Sequence, residues 1–343
     1  MLIKQNIIRT ALISALGLAL GVSVMAQSVP KGHRVGIIGL DTSHSTAFTQ
    51  ALNDPNAGDT FGGYKVVAAY PQGSLDIKSS VDRIPGYTET VKKLGVEIVG
   101  SIGELLEKVD VVLLETNDGR RHLEQALPVL KAGKRMFIDK PIAASLADAM
   151  VIFDAAKQYN VPVFSASSLR YIQGMDAVKQ GEVGKVLGAE AYSPSPLEKT
   201  HPDFFWYGIH GVETLFTAMG TGCKTVVRVH TEDTDVVTGI WEDGRIGSFR
   251  GLRAEKKDYG GIIFGEKAIK YLGTYNGYNP LLKEIIRFFQ TGIVPVQPEE
   301  TIEILAFMEA ADLSLEKGGV PVSIETVMKK AQKRSNKIRN AKR

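Results

Sequence analysis

Three places in the sequence carry residue types whose spacing suits chemistry. The first is RVGIIGLDTSH, Arg34 to His44, where an apolar run ends in Gly39. A G-x-G-x-x-G phosphate-binding turn would place glycines at 39, 41 and 44. The first makes the turn, the second lets the backbone approach a pyrophosphate, and the third lets the helix pack on the strand. Only Gly39 is present, with Asp41 and His44 in the other two places. A carboxylate at 41 would face phosphate with roughly 1–4 kcal/mol of repulsion at ~4 Å, or would cap a helix starting near Ser43. Thr42 and Ser43 can still offer backbone N–H groups to an anion at a helix N-terminus.

The second place is Lys140, between Asp139 and Pro141 and just after the apolar run RMFI. That puts it at the C-terminal edge of a buried strand, where α/β sheets hold their ligands. The third is His210 in WYGIHGVETL. Its ordinary pKa of ~6.5 lets it cycle a proton near neutral pH. Phe204, Phe205, Trp206 and Tyr207 precede it; four adjacent aromatics cannot all point one way, so some belong to the core. His210 and Glu213 would share a helix face, with His201 upstream, but a third ligand at a metal-site spacing is missing, so no metal is expected.

Elements must hold these residues. From Arg34 to about Ser165, strand-length Val/Ile/Leu runs alternate with helical stretches such as HLEQALPVLKAG and SLADAMVIFDAAKQYN. Continuous rather than alternating apolar runs suit strands covered on both faces, which predicts a doubly wound parallel α/β sheet. After Arg170 short strands follow one another, with Glu242-Asp243-Gly244 the clearest hairpin turn, and helical periodicity returns at PLLKEIIRFFQTG and from Pro298. This predicts a second α+β domain with a mainly antiparallel sheet.

Composition narrows the function. The chain has 343 residues, 44% hydrophobic and 23% charged, enough for two globular domains. Residues 1–26, with Lys4, Arg9, an apolar run and Val24-Met25-Ala26, read as an export signal cut after Ala26, which predicts a periplasmic or secreted protein with no integral span after cleavage. The formal charge of +3 includes those two basic residues and eight more in 329–343, so the body between carries about −7. Nucleic acid is therefore excluded as a partner of the folded body. Cys223 is the single cysteine, which excludes an internal disulfide and a four-cysteine zinc site.

The phrase GKRMFIDKPIAASLADAMVIFDAAKQYNVPVFSASSLRY, with LETNDGRRHLEQALPVLKAGK before it and PVQPEETIEILAFMEAADLSLEKGGVPVSI near the end, resembles the glucose-fructose oxidoreductase, inositol dehydrogenase and MocA family (Gfo/Idh/MocA). The resemblance implies a Rossmann-type NAD(P)-binding domain at 33–165, a substrate domain with an open sheet at 166–328 and, beyond it, the basic tail 329–343. It implies NAD or NADP near Gly39, Asp41, Thr42, Ser43, His44, Asn117, Asp139 and Lys140, and a sugar or polyol substrate. Asp139-Lys140-Pro141 matches the family's E-K-P, and His210 its acid-base histidine in D-x-x-x-H-x-x-D. Glu213 fills the trailing acidic place; Trp206 stands where the leading aspartate would be, with Asp203 one turn back. Arg170 and Tyr171 match residues that often face the family's substrate pocket; Arg170 could equally pair with a carboxylate.

Two departures bear on the cofactor. The glycine turn is altered, and the second strand, KVVAAYPQG, has Tyr70 and Pro71 where an acid would bind the adenosine ribose. The expectation is an exported oxidoreductase acting on a CH–OH group, with NAD(P) in a modified pose or tightly retained. The alternative is an exported carbohydrate-binding or non-redox protein, catalysing elimination or epimerisation, that has lost ordinary dinucleotide binding. A homo-oligomer is expected from the open sheet.

Overall fold

The computed structural model describes residues 33–341, so the export signal at 1–26 and the last two residues of the basic tail lie outside the described residues. The first sheet holds six parallel strands: β1 (Arg34–Ile38), β2 (Lys65–Tyr70), β3 (Glu97–Ile98), β4 (Val111–Leu114), β5 (Met136–Ile138) and β6 (Val163–Ser165), in the order β3-β2-β1-β4-β5-β6. β4, β5 and β6 are buried at every position, in keeping with their nearly unbroken apolar sequences. The order reverses between β1 and β4, and the crevice at their C-terminal ends is where a doubly wound sheet takes a ligand. Helices α1 (Ser43–Asn53), α2 (Lys78–Lys93), α3 (Ile102–Lys108), α4 (Gly119–Lys131) and α5 (Leu146–Tyr159) make the crossovers. Local chemistry sets their ends: the Ser145 hydroxyl accepts the Asp148 N–H at the start of α5, and Asn160 closes that helix in the left-handed region at φ 54°.

The second sheet has seven strands, β7 (Val186–Pro194), β8 (Cys223–His230), β9 (Thr234–Trp241), β10 (Ile246–Leu252), β11 (Gly260–Gly265), β12 (Ile269–Leu272) and β13 (Val322–Ser323). Their order is β12-β11-β7-β10-β9-β8-β13, antiparallel except where β7 runs parallel to β10. The expected hairpin joins β9 to β10, with Gly244 at φ 84°. Of the helices after β6, α6 (Met175–Lys179) is short; α7 (Ile209–Met219) and α9 (Pro298–Glu316) cover the inner face of this sheet, where Phe216 packs on Trp241 and Phe307.

Packing does not divide at residue 165. Helix α8 (Asn279–Thr291), late in the sequence, lays Leu282, Ile285, Phe288 and Phe289 into the core of the first sheet, with Phe288 edge-on to Phe164 at 4.9 Å. The basic stretch after Lys329 continues α10 (Ile324–Ala341), which buries Ala331 and Ser335 and pairs Arg339 with Asp154 on α5 at 2.6 Å. Both crossings fix the second domain to the first. Among the described residues no helix is long and apolar enough to cross a membrane.

Candidate active site

Gly39 turns at φ 89°, and a Cβ there would stand 2.5 Å from Thr116 Cα, so the turn demands glycine. Its N–H donates to Tyr70 O and that of Leu40 to Pro71 O, which ties the turn to the end of β2. Asp41 does not cap α1. The cap position is Thr42, which makes no side-chain cap hydrogen bond. Asp41 is fully buried, and its Oδ1 accepts the Asn117 N–H at 2.9 Å. Burial raises its pKa, opposed chiefly by that amide.

Gly73 lies directly against the Asp41 carboxylate, so the loop between β2 and α2 folds over the glycine turn. Ser74, buried in this loop, donates to Asp118 Oδ2 at 2.7 Å, and Arg120 at the start of α4 bridges Asp118 and Asp76 at 2.7 and 2.6 Å. From the other domain His201 places Nε2 3.0 Å from Asp118 Oδ1. These side chains line one half of the crevice, beside a pocket of about 270 Å³ bounded by Ser74, Leu75, Asp76, Arg120 and Arg121.

The other half stays open. Thr42, Ser43, His44, Asn117 and Lys140 meet His210 around a cavity of about 170 Å³. Ser168, Leu169, Tyr207, Tyr259, Tyr275, Tyr278 and Arg83 complete its walls. The phenols are ordered: Tyr278 contacts Ser43 Oγ at 2.9 Å, Tyr207 contacts Tyr259 at 2.7 Å, and Tyr275 accepts from Ser168 at 3.2 Å.

His210 sits near the start of α7, just after a widened turn of helix at Phe204–Gly208. The turn sends Phe204 and Phe205 into the core and leaves Tyr207 to the cavity. Nδ1 of His210 is 2.7 Å from Ser167 Oγ, so Nε2 is the nitrogen left for the cavity. Burial, then the charges of Lys140 and His44, hold its pKa well below the usual value, and the ring is neutral. Lys140 Nζ lies 3.3 Å from Asp139 Oδ2; burial disfavours its charge most strongly, but Asp139 together with Tyr207 and Tyr278 raises its pKa and the ammonium persists.

Five residues with expected substrate roles lie elsewhere. Arg170 donates to Glu213 at 2.8 Å and to Glu300, in a separate cleft beside Tyr171. Asp203 pairs with Arg228 at 2.6 Å. Trp206 packs on His201 at 5.1 Å. Sequence reasoning passed over Ser167, Glu115, Tyr259, Tyr275 and Tyr278. Tyr275 and Tyr278 had a usable signal in GTYNGYNP, a turn-rich loop carrying two aromatics into a helix; Ser167 and Tyr259 had none.

A dinucleotide fits this site at one end. Asn117, Lys140 and Ser43 offer donors around a space suited to a nicotinamide and a reacting hydroxyl. Beyond it the loop after β2 packs on Asp41, and Arg120 with Asp118 and Asp76 lines the neighbouring surface.

Residues 33–167 match the family model GFO_IDH_MocA, described as an oxidoreductase family with an NAD-binding Rossmann fold. A 1,5-anhydro-D-fructose reductase of Ensifer adhaerens is 31% identical over 142 residues, 40% of each chain. The chain spans about two fifths of the length of the first curated relatives it matches. In fold, a probable dehydrogenase from Thermotoga maritima superposes with a TM-score of 0.69 at 22% identity, over 86% of this chain and 99% of that one. A scyllo-inositol dehydrogenase from Lactobacillus casei, solved with NAD(H) and scyllo-inositol, gives 0.67 at 16% identity, over 85% and 99%. Residues 33–167 are thus a Gfo/Idh/MocA-type NAD-binding Rossmann domain, within a two-domain fold that the chain shares across most of its length with the solved dehydrogenases.

Proposed function

We propose that the protein oxidises or reduces one CH–OH group of a sugar, glycoside or polyol, with His210 and Lys140 handling the proton. The observation that carries this reading is that the two residues, from different domains, open into one small cavity walled by phenols and hydroxyls. Tyrosine rings offer apolar faces to sugar C–H groups and their hydroxyls offer hydrogen bonds. Neutral His210 accepts the substrate hydroxyl proton on Nε2 while Ser167 holds Nδ1. The Lys140 ammonium stabilises the negative charge that develops on the same oxygen. The nicotinamide, when bound, supplies the hydride acceptor, or the donor in the reverse direction.

The buried Asp41 and His44 in place of two turn glycines favour a second reading, proton transfer without net redox, as in elimination or epimerisation beside a carbonyl. The proposal includes export to the periplasm or beyond, supported by residues 1–26. It also includes a homodimer through the open face of the second sheet, where the register aligns exposed Tyr192, Val229, Ile240, Ile246, Ile269 and Tyr271.

The test is to purify the mature protein without added cofactor and assay it by absorbance and mass spectrometry, then by thermal shift with NAD, NADP and a sugar panel. Retained nicotinamide, or stabilisation by NAD or NADP, supports the redox reading. No nicotinamide and no binding at millimolar NAD or NADP, with stabilisation by sugar alone, overturns it in favour of the second.

A further inference from the structure

His44, in the place of the third turn glycine, turns its ring inward at the start of α1. It points toward two carboxylates at neighbouring strand ends, Glu115 after β4 and Asp139 after β5. Nδ1 lies 3.0 Å from Asp139 Oδ1 and 3.6 Å from Glu115 Oε2. One ligand atom from each residue falls within 4.8 Å of the others, and all three side chains are buried.

Two features set this cluster apart from an ordinary ion pair. Glu115 is fully buried and neither of its carboxylate oxygens has a hydrogen-bond partner, nor does His44 Nδ1 meet hydrogen-bond geometry. A buried carboxylate without donors is costly; in the metal-free cluster the protonated His44 ring is its counter-charge, and a divalent ion would displace that proton. The spacing suits a metal: ligands ~2.1 Å from a first-row ion stand roughly 3.0 Å apart at a right angle and roughly 3.4 Å apart at the tetrahedral angle. The Lys140 ammonium lies on Oδ2 of Asp139, while Oδ1, which accepts the Lys140 N–H at 2.8 Å, keeps a lone pair facing His44.

We propose that His44, Glu115 and Asp139 form a binding site for one divalent first-row metal ion. One imidazole nitrogen and two carboxylate oxygens suit Mn²⁺, Fe²⁺ or Zn²⁺ and not a soft ion such as Cu⁺. Three protein ligands leave a coordination position open. His44 also lines the cavity, which makes water or a substrate hydroxyl the natural further ligand. The substitution of the third glycine thus has a use that a helix-packing residue would not have. The inference does not depend on the redox reading, because it is measured by binding alone.

The experiment strips the full-length mature protein with a chelator, dialyses it against Zn²⁺ or Mn²⁺, and counts bound ion by elemental analysis. Electron paramagnetic resonance of Mn²⁺ provides an independent count on the wild type. The expected result is one ion per chain, a rise in Tm on loading, and affinity reduced at least ~10-fold in Glu115→Gln and in His44→Gln. Circular dichroism establishes that each variant is folded. Wild-type protein that takes up well under one ion per chain overturns the proposal whatever the variants do. So does stoichiometric binding that folded Glu115→Gln and His44→Gln both retain, because the ion then sits elsewhere.

Discussion

Replacing Gly73 with alanine asks whether the loop after β2 closes the dinucleotide crevice. Gly73 has no positive φ, so alanine is allowed by the backbone and would by itself stabilise by about 0.4–1 kcal/mol. The added Cβ, however, would stand 2.5 Å from Asp41 Cγ and 3.2 Å from Asp41 Cβ. Carbon atoms pack best at about 3.5–4.0 Å, so the loop or the carboxylate must shift by roughly an ångström, against the buried hydrogen bond from Asn117. Overpacking of this kind costs about 1–3 kcal/mol. In an Asp41→Gly background the obstacle is gone and the same substitution becomes neutral or mildly stabilising. Urea denaturation of the four proteins should therefore show a coupling energy of about 1–3 kcal/mol between the two sites. Additive effects, with coupling below about 0.5 kcal/mol, would refute the packing of Gly73 on Asp41 and with it the closed crevice. Asp41→Asn separates charge from contact: it retains the acceptor for Asn117, so the loop stays shut and NAD affinity should change little.

Other expectations follow from neighbouring residues. His210→Asn should lower kcat by about 10²–10⁴-fold with a smaller change in KM, read by steady-state kinetics on a turned-over polyol; an equal loss in KM alone would remove it from proton transfer. Arg170→Met leaves Glu213 buried without its partner and should cost about 3–5 kcal/mol in chemical denaturation; a loss below about 1 kcal/mol, the worth of a surface pair, would contradict the buried assignment. Burial raises the Asp312 carboxyl to about 7, against the opposing charge of Arg228. A raised folded pKa means that its contribution to stability is complete below the ordinary carboxylate pKa and is lost as pH climbs through 7. Asp312→Asn should flatten stability between about pH 4 and pH 8. An unchanged slope would show that Asp312 is ionised throughout that range.

The sheet was legible because its strands are buried on both faces and so must be unbroken Val, Ile and Leu. The hairpin at Asp243-Gly244 and the helix starting at Pro298 carry their chemistry in their own residues. The parallel pairing of β7 with β10 and the placement of α8 on the first sheet are long-range choices that local periodicity does not encode. At the site, Lys140 and His210 stood out by residue type and motif. Arg170, Asp203 and Glu213 have the same chemical credentials but find partners in Glu300, Arg228 and each other, a matter of three-dimensional proximity. The two substituted glycines announced that the phosphate turn had changed. Only the packing shows how: Asp41 ties down the covering loop, and His44 turns inward to Glu115 and Asp139.

Hydride transfer at the Lys140–His210 cavity is the central claim, and a substrate deuterated at the reacting carbon tests it most directly. The mature protein is incubated with NAD or NADP and such a sugar or polyol, and both nicotinamide and substrate are analysed by mass spectrometry. The account predicts that deuterium appears on the nicotinamide, dependent on His210, with the substrate carbon oxidised to a carbonyl. Deuterium released to solvent, with an epimer or an unsaturated product and no label on nicotinamide, would contradict it.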